Sequence, residues 1–243
     1  ITPAWQRFEL TAICLRQKKA MFEELADWGI EGTVVVVADD ENLKVAEDLG
    51  FVPVDHPNDV LGRKFNAGYA KAAELGYDYA MAVGSDTFLS PATFIPLRKK
   101  KPPAFYATRN YSLVHRSGTR RLDLVIDWGV HQCIYMPLME KLDYRPVNEA
   151  ISRGCDTSTR NRIVRSLLYK SPVTIEFFAQ HDMEAVAFQS RRQITSFNAI
   201  ARSRRRTPVE GTIAEIMAPM AGLYPPTLIE EVKAFYASGR GFK

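Results

Sequence analysis

The run from Val54 to Pro91, VDHPNDVLGRKFNAGYAKAAELGYDYAMAVGSDTFLSP, constrains the fold more than any other part of the chain. It reads as the end of a strand, a polar loop, a helix over Gly62 to Leu75, and a second strand that ends in an acidic tip. Tyr79 to Val83 is a short apolar run suited to a strand buried on both faces, and Gly84-Ser85-Asp86 breaks it. This order presents polar groups at the carboxyl end of a buried strand, where open α/β sheets bind ligands.

The same rhythm extends in both directions. A helix is expected over Glu9 to Trp28, a strand over Thr33 to Ala38, a helix over Glu41 to Leu49 and a strand over Phe51 to Val54. Alternation of this kind predicts an α/β fold, a Rossmann-like and mostly parallel central sheet flanked by helices. Later strands are expected at Ala104 to Tyr111, Leu122 to Trp128 and Val173 to Phe178, and helices at Pro137 to Leu142 and Thr157 to Leu168. The tail from Thr212 to Ser238 is interrupted by Pro219, Pro225 and Pro226, so it predicts a C-terminal extension of short helices.

At 243 residues and 46% hydrophobic content, the chain can bury the core of one such domain with an appendage. No apolar run approaches the length of a membrane span and no signal-peptide pattern is present, so a cytoplasmic location is expected, with no membrane partner. Cys14, Cys133 and Cys155 lack zinc spacing and suit reduced thiols. The chain is expected to begin inside its first strand.

Charge is divided at Asp86. Residues 1–86 carry 8 Lys/Arg against 15 Asp/Glu, and residues 87–243 carry 24 against 13, within an overall net charge of +4. Thr87 to Leu122 holds eight basic residues and no carboxylate; Ala185 to Val209 holds Arg191, Arg192, Arg202, Arg204, Arg205 and Arg206, again without a carboxylate. Such stretches are candidate polyanion surfaces or solvated basic faces.

The segment around Asp86 and Pro91 resembles the metal-binding motif of GT-A nucleotide-sugar glycosyltransferases, particularly family 2, with Gly84 in place of the motif's first Asp. Gly62-Arg63-Lys64-Phe65-Asn66-Ala67-Gly68 resembles that family's helix motif, with the arginine displaced by two positions. Val34 to Asp40 is similar to its second strand and acidic tip, and Thr2-Pro3-Ala4-Trp5-Gln6-Arg7 to the loop after its first strand.

The resemblance implies a GT-A domain over 1–178, with a nucleotide-sugar half at 1–91 and an acceptor half at 92–178, followed by a basic extension at 179–243. It implies a UDP-sugar donor held by Pro3, Arg7, Asp39 or Asp40, Arg63, Asn66, Ser85 and Asp86. Mn²⁺ or Mg²⁺ on Asp86 would stabilise the departing diphosphate. His181 is either a further metal ligand or an ordinary surface histidine. Lys64 reads as a loop charge.

For an inverting transfer the resemblance puts the base at Asp156, which opens a helix and is equally good capping chemistry; Asp127 is the alternative base. The whole chain is also similar to small glycosyltransferases encoded by phages and environmental viruses. That resemblance, with the basic later half, implies 5-hydroxymethylcytosine in viral DNA as acceptor, gripped by the arginines named above. Two other readings stay open: transfer to a virion protein or surface glycan, and a catalytically silent nucleic-acid-binding module.

Overall fold

Val34 to Ala38 is buried on both faces, as the valine run requires, and the strand it forms lies inside a parallel sheet. Thr2–Pro3 (β1), Val35–Ala38 (β2) and Val52–Asp55 (β3) pair in parallel. Between them run Phe8–Ala26 (α1) and Asn42–Asp48 (α2); Leu61–Glu74 (α3) then leads to Tyr79–Met81 (β4). These elements come from a computed structural model, which describes residues 1–99, 103–107, 110–115, 122–127, 132–163, 176–178, 185–188, 209–211 and 213–239.

A second group of strands comprises β4, Ala104–Ala107 (β6), Gln132–Tyr135 (β9) and Glu176–Phe178 (β10), in the order β10-β6-β9-β4. Ile1 joins the two groups, because its nitrogen donates to Met81 O at 2.7 Å and its carbonyl accepts from Val83 N at 2.9 Å. The resulting order is β3-β2-β1-β4-β9-β6-β10, in which β9 alone runs antiparallel. This is the doubly wound α/β sheet expected from the sequence, and its order reverses between β1 and β4.

Helices cover both faces. Alternate residues of β4 diverge: Ala80 packs with Phe65 and Tyr69 of α3, while Met81 packs with Met21 and Leu25 of α1. Gly68 allows α3 to approach closely, since a Cβ there would lie 2.2 Å from the Ile1 side chain. Among the described residues no helix is long and apolar enough to cross a membrane.

A further sheet starts immediately after Asp86. Thr87–Leu89 (β5), Asn110–His115 (β7), Leu122–Asp127 (β8), Ala185–Phe188 (β11) and Val209–Gly211 (β12) assemble in the order β12-β8-β7-β11-β5. The single strand expected over Ala104 to Tyr111 is therefore two strands in different sheets. Helix α1 closes the β5 edge with polar side chains: Gln17 exchanges two hydrogen bonds with the Leu89 backbone, and Lys18 Nζ donates to Thr87 O at 2.7 Å.

Later helices are Ile95–Lys99 (α4), Met136–Met139 (α5), Cys155–Ile163 (α6), Ile213–Met217 (α7) and Pro226–Ala237 (α8). Helix α8 packs on α1, placing Val232 and Tyr236 in one cluster with Leu10, Ile13 and Phe88.

Candidate functional site

Loops from β1 and β4 meet where the strand order reverses. Arg7, after β1, donates from Nη1 to Asp86 Oδ2 at 2.9 Å and from Nη2 to Ser85 Oγ at 3.2 Å. The Arg7 and Asp86 side chains are 18% and 11% exposed, so the pair sits in a crevice and still reaches solvent.

The first loop is held in an uncommon conformation to achieve this. Gln6 and Arg7 have φ of 52° and 51°, left-handed values that cost a non-glycine residue about 1–2 kcal/mol each. Asp40 braces the turn: one carboxylate oxygen accepts from Gln6 N at 2.7 Å, and the other accepts from Asn42 N and Nδ2. Asn42 Nδ2 also donates to Gln6 O, and Arg7 O accepts from Thr11 N to begin α1. Lys64 Nζ donates to Ala4 O at 2.7 Å from beneath. Lys64 is buried on α3, which corrects its reading as a loop charge, and burial lowers the pKa of its ammonium.

Asp86 is fixed just as firmly. Its carbonyl accepts from Phe188 N at 2.7 Å, tying the tip of β4 to β11. A Cβ on Gly84 would lie 2.6 Å from Asp86 Oδ1 and 3.0 Å from Thr87 Oγ1, so the Asp86 carboxylate occupies the space that a side chain at 84 would need. Lys18 approaches from the buried side. Burial pushes its ammonium below the ordinary value, and the Cys14 and Asp86 charges oppose that shift.

One Asp86 oxygen is bonded to Arg7, a Cβ at position 84 would require the Asp86 carboxylate to shift, and no group of three or more His, Cys, Asp or Glu side chains gathers among the described residues. His181 lies outside the described residues, as do Arg191, Arg192, Arg202, Arg204, Arg205 and Arg206.

Other candidates fall in different places. Asp39 is exposed at the end of β2 and accepts from Asn58 N at 2.8 Å; Pro3 lies within β1. Arg63 is half-exposed in the first turn of α3 and pairs with Asp59 at 2.6 Å. The Asn66 Nδ2 donates to Val147 O and to Glu149 Oε1, and its Oδ1 accepts from Val147 N, so both ends of the amide are bonded to the loop at residues 147–149. Gly62 serves the same contact, because a Cβ there would lie 2.1 Å from Asn148 O.

That loop continues into α6. Asn148 N donates to Ser158 Oγ, Gly62 N to Ile151 O and Leu61 N to Ser152 Oγ, so α6 starts beside the amino end of α3, on the side of the sheet where the parallel strands end. Asp156 is the second residue of α6, and Gly154, at φ 68°, stands just before the helix. Asp127 ends β8, opposite Asn110. Sequence reasoning passed over Trp5, which is 39% exposed beside Gln6 and Arg7, and over Lys18. The signal for Trp5 was its place in the loop opening after the first strand; Lys18 had none, being one of several charges on α1.

A cavity of about 910 Å³ is lined by Thr2, Trp28, Ile30, Val34 and Tyr79 toward the amino ends of the strands and extends to Lys18 and Val83. The convergent polar groups are at the opposite ends, so the crevice at Arg7 and Asp86 is the candidate site.

No protein-family model matches the chain, and no curated protein matches it. Among solved structures it is similar to the bifunctional IspDF from Campylobacter jejuni, at 12% identity and a TM-score of 0.41, over 80% of this chain and 46% of that one. The chain thus spans less than half of that protein. It is also similar to CMP:2-keto-3-deoxy-manno-octonic acid synthetase complexed with CTP, at 10% identity and a TM-score of 0.38, covering 90% and 88% of the two chains. A third likeness is to the inositol-1-phosphate CTP transferase from T. maritima, at 12% identity and a TM-score of 0.39, covering 79% and 77%.

Proposed function

We propose that this chain is a nucleotide-sugar-dependent glycosyltransferase whose donor lies across the carboxyl ends of β1, β2 and β4. The observation that carries the reading is the convergence of Arg7, Ser85 and Asp86 at the reversal of strand order, where open α/β sheets take nucleotides. Arg7 is the group for a donor phosphate, and exposed Asp39 the acceptor for a ribose or base N–H or O–H. Trp5 offers a flat apolar face to the base. A UDP-sugar is the donor in this reading.

Transfer with inversion is a single displacement. The acceptor oxygen bonds to the anomeric carbon as the bond from that carbon to the diphosphate oxygen breaks, and that electron pair leaves with UDP. The acceptor proton goes to a carboxylate, which we assign to Asp156. Its support is the place of α6 beside the amino end of α3; Asp127 is the alternative. For the acceptor, the excess of 24 basic over 13 acidic residues after Asp86 favours a polyanion, and we assign it to 5-hydroxymethylcytosine in viral DNA.

Mass spectrometry of nucleosides from hydroxymethylated and plain DNA, incubated with a panel of UDP-sugars in Mn²⁺ and in EDTA, tests this directly. One hexose on the hydroxymethylated base alone is expected. Asp156→Asn should abolish transfer while UDP affinity stays within about twofold. Labelling of a protein and never of DNA rejects the acceptor; no UDP binding and no UDP release under any condition reject the donor site.

A further inference from the structure

We infer that Arg7, held on Asp86 and Ser85, meets the nucleotide's phosphate in the place a divalent cation would take, and that Asp86 is the positioning residue for that guanidinium. The inference rests on the reading of this crevice as a nucleotide site.

Arg7 presents a planar fork of five N–H donors, and its bonds to Asp86 Oδ2 and Ser85 Oγ use two of them. The rest of the fork is available to an incoming anion, and the side chain reaches solvent. Two adjacent left-handed residues, braced through Asp40 and Asn42, hold the guanidinium there. Strain of that kind persists only where the surroundings over-determine it, and it is typical of ligand clamps. A clamp built in advance spends less binding energy on ordering the site.

The packing at Gly84 fits this arrangement. The two-carboxylate form of the motif needs a side chain at that position, and the Asp86 carboxylate that holds Arg7 lies 2.6 Å from where its Cβ would be. Loss of the first acidic residue and gain of the arginine anchor are thus one structural feature.

Calorimetric titration of the full chain with UDP, and separately with inorganic pyrophosphate, in EDTA and in Mn²⁺, tests the inference. UDP affinity is expected to agree within about twofold between the two conditions. Arg7→Gln should weaken UDP and pyrophosphate by about ten- to a hundredfold, the range for losing hydrogen bonds to a charged group. Arg7→Lys should fall between it and the parent, keeping the charge without the fork. Native far-UV circular dichroism checks the fold, and if Arg7→Gln does not fold, Arg7→Lys carries the comparison. UDP affinity at least tenfold higher in Mn²⁺ than in EDTA, or an Arg7 variant that folds and binds both probes like the parent, overturns the inference and leaves the nucleotide site standing. Absence of binding by either probe in both conditions rejects the nucleotide site, and the inference with it.

Discussion

Gly84 carries more of the site's chemistry than a residue without a side chain ordinarily does. Its missing Cβ gives the Asp86 carboxylate room to fold back toward Arg7. Gly84→Ala is expected to push Asp86 off the guanidinium, lowering stability by about 1–3 kcal/mol, the range for overpacking a closed site. Gly84→Asp is the sharper variant, because it writes a two-carboxylate pattern into the sequence. It should weaken UDP binding and create no Mn²⁺ dependence; UDP binding strengthened by Mn²⁺ in Gly84→Asp would contradict this account of the position. At the residue scale the sequence made Asp86, Ser85 and Arg7 legible one by one, through the acidic tip and the loop after the first strand. It did not make their pairing legible, since Arg7 and Asp86 are 79 residues apart and no local pattern encodes such a contact. Asp40 looked like a nucleotide ligand for the same reason: a carboxylate at a strand end looks alike in sequence whether it faces solvent or, as here, braces a turn.

In helix α3 the residues that stand out in the sequence make packing contacts. Gly62, Asn66 and Gly68 all serve packing: Gly62 and Asn66 against the loop at residues 147–149, Gly68 against β1 and β2. Asn66→Ala would leave the Val147 N–H without its partner in a buried place, at a cost of about 1–3 kcal/mol, while Val147 O keeps the bond from Arg162 Nη1 at 3.3 Å. Since the loop also holds the start of α6 through Asn148 and Ser158, the proposed transfer, with Asp156 as its base, should fall much further than UDP affinity. Parallel loss of both, measured by steady-state kinetics and calorimetry, would return Asn66 to the nucleotide site. The long elements were legible because periodicity accumulates over many residues, as in α1 and α3. The three- and four-residue strands β5, β9 and β11 were not, because TFL, QCIY and AVAF are too short to show a period. Only their pairing partners define them, and the second sheet was missed with them.

Across the whole molecule, the buried ionisable groups predict how stability responds to alkali. Burial pushes the Cys14 thiol up to about 12 from 9.0, and it raises Cys133, Tyr79 and Tyr236 in the same direction. In each case the folded state holds a proton that the unfolded state releases, so the stabilisation is complete below the unfolded value and is lost as pH rises. Lys18 has the opposite sign. Its lowered value means that the unfolded chain binds the extra proton, so its contribution improves with pH until about 10.5, the ordinary lysine value, is passed. Between pH 9 and 10.5 the Cys14 and Cys133 contributions oppose those of Lys18 and Lys64; above that window the lysines contribute no further change, and the thiols and phenols together drive unfolding. Stability from urea denaturation under reducing conditions should therefore change little from pH 9 to 10.5 and then fall steeply. Cys14→Ala should remove about 1.4 kcal/mol per pH unit from the alkaline loss between pH 9 and 12, because one proton no longer differs between the two states. Identical slopes in the parent and Cys14→Ala would mean that this α1 thiol ionises as freely in the folded chain as in the unfolded one, contrary to its complete burial among Leu10, Ile13 and Tyr236.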